Sequence, residues 1–210
     1  MKWVNIMVNG QSHAGLVRED KVDLMAAKDV ADLLDDLPSA STRAGEAGTV
    51  ALQGAALLPP ILRPRKILGI GVNYAAHAKE SVTFVNNPTS KVQKWFNKQA
   101  TAANGPYRPV DLPAVSDQLD YEAELVVIIG KTGRHVSEDQ AERLIAGYCC
   151  GCDFSVRDWQ RASPTMIMGK GFDTHAPFGP YLVTPDEVDD PRQLDIRGFV
   201  NGELRQQGRT

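Results

Sequence analysis

Two glutamates, Glu122 and Glu124, lie two positions apart in Asp120-Tyr121-Glu122-Ala123-Glu124, just before the apolar run Leu125–Ile129. In a strand, residues i and i+2 face the same way, so both carboxylates are expected side by side at the edge of a core. Like charges there repel, and each costs several kcal/mol (~2–5) to desolvate without compensation. Water at an exposed strand end, basic partners or a bound cation could each compensate. Asp153 adds a third carboxylate at the end of a small-residue strand, Gly147–Phe154, and a strand–helix–strand path can bring it beside the pair. Three oxygen donors without His or Cys suit a hard cation, Mg²⁺, Mn²⁺ or Ca²⁺. About three of the six octahedral positions of Mg²⁺ then stay open for water and substrate, as a catalytic metal requires.

His77 and Glu80 are spaced i, i+3, which puts them on one face of a short helix. A carboxylate beside an imidazole raises its basicity and suits a general base; a surface His–Glu contact is the plainer alternative. Lys170 stands between Gly169 and Gly171, where the backbone can approach a ligand and the ammonium can face a developing oxyanion; a plain turn lysine is the alternative. Arg157, Gln160 and Lys98 are candidates for further polar contacts to substrate. His13, His135 and His175 have no partner recognisable in the sequence and are read as structural or solvent-exposed. Cys149, Cys150 and Cys152 lack a second ligand pair at zinc spacing and are read as small buried residues. Gly69-x-Gly71 has the start of a dinucleotide-binding turn. Tyr74 fills the third glycine position and no acidic residue follows at the required distance, so that reading is set aside.

These residues need elements to hold them. The first segment reads as a small β unit: a strand at Trp3–Val8, a hairpin turn at Asn9-Gly10, a strand near Gly15–Val17, a turn at Glu19-Asp20 and a short helix near Val30–Leu34. Residues 37–60, rich in Ala, Gly, Ser and Thr and closed by Pro59-Pro60, read as a linker. The organisation expected is therefore a small N-terminal β domain with linker over 1–60 and a metal-binding domain over 61–210. In the second part, strands are expected at Lys66–Val72, Tyr121–Ile129, Tyr148–Phe154, 178–183 and 194–200. A short helix is expected at Asn73–Glu80, a long loop over 86–113, and a helix at Ser137–Ala146 opened by a Ser137/Gln140 capping box. Thr184-Pro185 reads as a helix start and Asn201-Gly202 as a second hairpin turn. With 42% hydrophobic residues and net charge −3 over 210 residues, the chain has material for a core. It has no electrostatic bias toward nucleic acid or an anionic membrane. No run approaches the roughly 20 apolar residues of a membrane helix, the N-terminus has no signal-peptide pattern, and a cytoplasmic setting is expected.

Several separated stretches, in order, resemble the fumarylacetoacetate hydrolase family. They are KILGIGVNYAAHAKE, FNK with GPYRPVDLP, DYEAELVVIIGK, GYCCGCDFSVRDWQ, MGKGFDTHAPFGPYLVTPDEV and VNGELRQQGRT, spanning roughly Lys66 to Thr210. The resemblance implies an α+β, β-rich fold: the mixed β-roll of the fumarylacetoacetase C-terminal type, with a few helices and a small N-terminal β domain. It implies a homodimer with Mg²⁺, or Mn²⁺ or Ca²⁺, held by Glu122, Glu124 and Asp153. It further implies His77 as general base with Glu80 as its partner, Lys170 and Gln160 at the substrate and its oxyanion, and Lys98 near the site. The activity implied is C–C bond hydrolysis of acylpyruvates or diketo acids. Decarboxylation or isomerisation of 2-oxo and hydroxy-dienoic diacids on the same site is an alternative, and a scaffold without turnover another. Two departures stand out: Cys152 where many relatives carry Asn, and an end at Thr210 where relatives continue with a further third that includes a substrate loop.

Overall fold

A computed structural model describes residues 1–74 and 92–210 of the chain. Its strands are β1 (Lys2–Val8), β2 (Gln11–Arg18), β3 (Lys21–Leu24), β4 (Thr49–Ala51), β5 (Ala56–Leu58), β6 (Ile67–Gly71), β7 (Lys94–Lys98), β8 (Ala103–Asn104), β9 (Leu119–Asp120), β10 (Ala123–Ile129), β11 (Ile145–Cys152), β12 (Ser155–Val156), β13 (Ala176–Pro177), β14 (Leu182–Val183), β15 (Asp195–Val200) and β16 (Glu203–Arg209). The α-helices are short: α1 (Leu37–Ser41), α2 (Glu138–Ala141), α3 (Arg157–Ala162) and α4 (Ile167–Lys170). The fold is strand-rich α+β, as expected. Among the described residues, no helix is long and apolar enough to cross a membrane.

One antiparallel sheet of eight strands runs β10-β11-β14-β1-β2-β3-β4, with β5 also pairing β1. Its hairpins form where expected: Asn9 and Gly10 join β1 to β2 with φ of 49° and 78°, a conformation that Asn and Gly adopt at least cost. Trp3 to Ile6 are all buried, so β1 has two covered faces. Trp3 packs in a cluster with Leu16, Met25, Ile128, Cys149 and Leu182, while Val4 and Ile6 pack with Val22 and Leu24. The buried polar exception, Asn5, is fully used. Its amide donates to Asp29 Oδ1 (2.7 Å) and to the Pro59 and Pro60 carbonyls (3.0 Å each), and its oxygen accepts from Val30 N (2.8 Å).

These contacts correct the linker reading of residues 37–60. Their small-residue composition suggested a spacer, yet β4 pairs β3, β5 pairs β1, and Asn5 ties down the closing prolines. The sheet also runs across the expected boundary at residue 60, because β14 pairs both β1 and β11. The loop reading of 86–113 is likewise corrected where the structure describes it. β7 forms an antiparallel hairpin with β6, and Gly69 leaves the space that the Phe96 ring fills; a Cβ on Gly69 would lie 2.2 Å from that ring. Gly69 is thus a mid-strand packing position and not a phosphate turn.

The helix expected at Ser137–Ala146 is shortened to α2 and a 3₁₀ turn at Glu142–Leu144, and the Ser137 side chain makes no capping bond. The Leu144 carbonyl instead accepts from Gly130 and Lys131 N, which turns the chain into β11. Thr184 precedes a 3₁₀ turn, Pro185–Glu187, without capping it through its side chain; its hydroxyl takes the N-terminal amine at 2.5 Å. Strand alternation also corrects the cysteines: Cys149 is buried, but Cys150 is exposed and Cys152 half-buried, all three free. The helix expected at Asn73–Glu80 falls, past Tyr74, outside the described residues.

Two outcomes test this packing. A Cβ on Gly147 would meet the Val183 carbonyl oxygen at 2.4 Å where β11 abuts β14. Gly147→Ala is therefore expected to lower stability by about 1–3 kcal/mol, seen as an earlier chemical-denaturation midpoint; an unchanged midpoint would contradict that contact. Burial pushes the Cys149 thiol up to about 12, so mass spectrometry after thiol alkylation at neutral pH should find Cys150 modified well before Cys149.

Candidate functional site

Glu122 and Asp153 are brought together by the β10–β11 ladder. Ala123 pairs with Cys152 and Glu124 with Gly151, and one further rung, Asp153 N to the Glu122 carbonyl at 2.8 Å, carries the ladder past both strands. β9 and β12 pair just beyond, setting Asp120 opposite Ser155. The cluster is closed by basic side chains from three other elements. Lys170, at the end of α4, places its ammonium between Glu122 Oε2 and Asp153 Oδ2, the latter at 2.6 Å. Arg157, opening α3, binds Glu122 Oε1 (2.9 Å), Asp120 Oδ2 (2.6 Å) and, through its other amino group, Gln160 Oε1 (2.8 Å). Lys98, ending β7, lies 2.6 Å from Asp153 Oδ1. Ser155 Oγ donates to Glu122 Oε2 at 3.0 Å.

Lys98 and Lys170 are nearly sealed from solvent, at 6% and 3% exposure. Lys98 donates to the carbonyls of Phe154 (2.9 Å), Lys170 (2.7 Å) and His175 (3.0 Å). Asp153 Oδ1, buried and 2.6 Å away, is a fourth acceptor around its three protons. Lys98, expected at the substrate, turns its donors inward and positions Asp153 and the 170–175 segment. Gly169 also acts differently from expectation. A Cβ there would lie 2.2 Å from Gln160 N, so the glycine lets α4 pack on α3 and does not open a path to a ligand. Arg157 and Gln160, expected at the substrate, are bonded to each other and into the cluster, with Gln160 Nε2 also 3.6 Å from Met166 Sδ.

Glu124 lies apart from these cations in one respect: its carboxylate accepts from the Tyr74 hydroxyl at 2.6 Å. Burial, with repulsion from Glu122 and Asp153, lifts its carboxyl to about 7 against the pull of Tyr74 and Lys170. Burial and Glu124 in turn raise the Tyr74 phenol. Glu122 behaves oppositely: burial opposes its charge, but Lys170 and Arg157 outweigh it and hold the carboxyl well below the usual range. Burial lowers Lys98, with Asp153 working against that shift. Tyr74 was visible in the sequence only as the residue breaking a glycine pattern, and Asp120 and Ser155 only as neighbours of the acids. His175 is buried, its ring stacked on Phe172 at 5.3 Å and its Nε2 2.9 Å from the Asp111 carbonyl oxygen, in line with a structural role. A cleft of about 310 Å³ between Asp111–Pro113 and Gly171–His175 has none of the carboxylates of the cluster in its wall. His77 and Glu80 lie outside the described residues. Among the described residues, no three His, Cys, Asp or Glu side chains stand in ligating array: Lys170 occupies the space between Glu122 and Asp153, and Tyr74 holds Glu124.

Residues 66–210 match the model of the fumarylacetoacetate (FAA) hydrolase C-terminal family. The chain belongs to this family. It is 44% identical over 155 residues to a mitochondrial oxaloacetate tautomerase of Homo sapiens, an alignment covering 73% of this chain and 48% of the relative. The chain thus spans about half the length of the curated relatives it matches. Among solved structures it superposes on 5-carboxymethyl-2-hydroxymuconate delta-isomerase from Mycobacterium smegmatis with a TM-score of 0.82 and 30% identity, covering 100% of this chain and 76% of that one. It superposes also on maleylpyruvate hydrolase from Sphingobium sp. SYK-6, in complex with manganese (II) ion and pyruvate, with a TM-score of 0.80 and 29% identity, covering 100% and 76%. The family therefore carries hydrolase, isomerase and tautomerase members on one scaffold.

Breaking a buried ionic contact on one side leaves the partner uncompensated, at about 3–5 kcal/mol. Lys98→Met is expected to cost that much stability in chemical denaturation, because three carbonyls and Asp153 lose their cation together; a cost below about 1 kcal/mol would remove Lys98 as an anchor.

Proposed function

We propose that this chain is a divalent-metal-dependent enzyme of small 2-oxo acids that hydrolyses the C–C bond of an acylpyruvate or diketo acid. The observation that carries the reading is the convergence of Glu122 and Asp153 at the end of one strand pair, with Glu124 beside them. Three features fit a hard cation. All the donors are carboxylate oxygens, a cation of the chain's own already sits between two of them, and Asp153 Oδ1 is buried facing a second such cation, the Lys98 ammonium, at 2.6 Å. Mg²⁺ or Mn²⁺ held by Glu122, Glu124 and Asp153 would supply Lewis acidity for the oxygens of a 2-oxo acid.

The chain's own groups do the rest. His77, oriented by Glu80, takes a proton from water for attack on the distal carbonyl. Cleavage by addition of water gives pyruvate and a carboxylic acid, with the electron pair of the broken bond leaving as the pyruvate enolate. Lys170 and Gln160 face the developing negative oxygen. Arg157, through Glu122, and Lys98, through Asp153, keep the carboxylates in place. The same reading takes the chain as a homodimer.

A second reading has a specific observation behind it: the 44% identity to an oxaloacetate tautomerase. Here His77 moves a proton between carbon and oxygen of a 2-oxo diacid, no bond to carbon is hydrolysed, and the same carboxylates and lysine stabilise the same enolate. Product analysis separates the two. Release of pyruvate from an acylpyruvate supports hydrolysis. Enol–keto exchange of oxaloacetate with acylpyruvate untouched supports proton transfer and overturns the hydrolase.

Under either reading Glu122→Ala should abolish metal-dependent turnover, followed by loss of acylpyruvate or enol absorbance. Retention of wild-type turnover in that variant would end the proposal.

A further inference from the structure

The three basic residues of the cluster are not held alike. Lys98 is anchored by three carbonyls besides Asp153. Arg157 is shared among Asp120, Glu122 and the neutral Gln160. Of these three, Lys170 alone gives its side-chain hydrogen bonds, among the described residues, only to carboxylates, Glu122 and Asp153, with the Phe96 ring face 4.7 Å away. Its ammonium is therefore the one cation of the three with no neutral acceptor to keep it in place. Lys98, Arg157 and Lys170 pair with Asp120, Glu122 and Asp153, and Glu124 beside them has no ion-pair partner among the described residues.

We propose that Lys170 is a tethered counter-ion. It holds Glu122 and Asp153 together before a metal arrives, and it competes with the metal for the same oxygens. The inference rests on the metal reading above and goes beyond it. Two carboxylates this buried would repel and swing apart without a cation, so the ammonium keeps the cradle assembled. An ion placed between Glu122 and Asp153 has to enter the space that Lys170 Nζ now fills. Nζ lies 2.6 Å from Asp153 Oδ2 and is hydrogen-bonded to Glu122 Oε2. The flexible four-carbon stem of a lysine allows the ammonium to withdraw, whereas Lys98 cannot leave without stripping three carbonyls. Loading therefore frees one positive charge beside the ion, available to an anionic oxo-acid. Metal and substrate binding are coupled through this one side chain.

The test is isothermal titration of the purified chain with MnCl₂ in the wild type, Lys170→Gln and Lys170→Arg. Removing a full charge a few ångströms from the ion should tighten Mn²⁺ binding by roughly tenfold or more in Lys170→Gln. Arginine keeps the charge and can fork onto both carboxylates, so Lys170→Arg should bind Mn²⁺ no more tightly than the wild type. Equal or weaker binding by Lys170→Gln overturns the inference, since Lys170 would then serve only to shape the site. Should the glutamine variant fail to fold, the arginine variant decides, and tighter binding there overturns it. A wild type that takes up no Mn²⁺ fails the metal reading itself, a result separate from either variant's.

Discussion

The buried ionic cluster of Glu122, Asp153, Lys98, Lys170 and Arg157 is the constraint around which this half of the molecule is arranged. Carboxylates at the end of a sheet are tolerable in a low-dielectric setting only when paired and hydrogen-bonded. Here the pairing draws in β7 through Lys98, α3 through Arg157 and α4 through Lys170, none of which is a neighbour of β10 in sequence. Lys98 also gathers the carbonyls of Phe154, Lys170 and His175. Irregular segments that lack a sheet ladder are thereby held by a single ammonium. The cost of sealing charges in is spread over a network, and the network sets the positions of the acids.

Glu124 escapes that neutralisation. Its partner is a phenol and not a cation, and its carboxyl rises to about 7. A buried acid that is hard to ionise, beside Glu122 whose charge Lys170 and Arg157 hold, marks a place where positive charge is lacking. That asymmetry favours a cation shared by all three acids.

The acids were legible in the sequence because charge inside an apolar strand is anomalous, and Glu122-x-Glu124 needed only the two-residue period of a strand. Strands β1, β2, β10 and β11 and both hairpin turns were legible for similar local reasons. The compensation was less so. Arg157, Lys98 and Lys170 were recognised as site residues, but their tasks depend on distant partners: Lys98 and Phe154 are 56 positions apart. Nothing local says that Lys98 donates inward. Tyr74 carried no signal beyond its type, since its role is set by Glu124, 50 positions away. β4, β5 and β7 were hidden because runs as short as TVA, ALL and KWFNK carry too little alternation to show a period, and pairing with β3, β1 and β6 decides them. The family's several reactions on one scaffold fit the general rule that chemistry lives in the site and not in the fold.

The central claim is that Glu122, Glu124 and Asp153 form one hard-cation site. Anomalous diffraction from crystals grown with Mn²⁺ tests it most directly. A single strong peak is expected within ligating distance of all three carboxylates, weakened when Mg²⁺ is added in excess. A strong Mn²⁺ peak elsewhere with none at these residues, or a peak that leaves Glu122 and Asp153 both unligated, would contradict it.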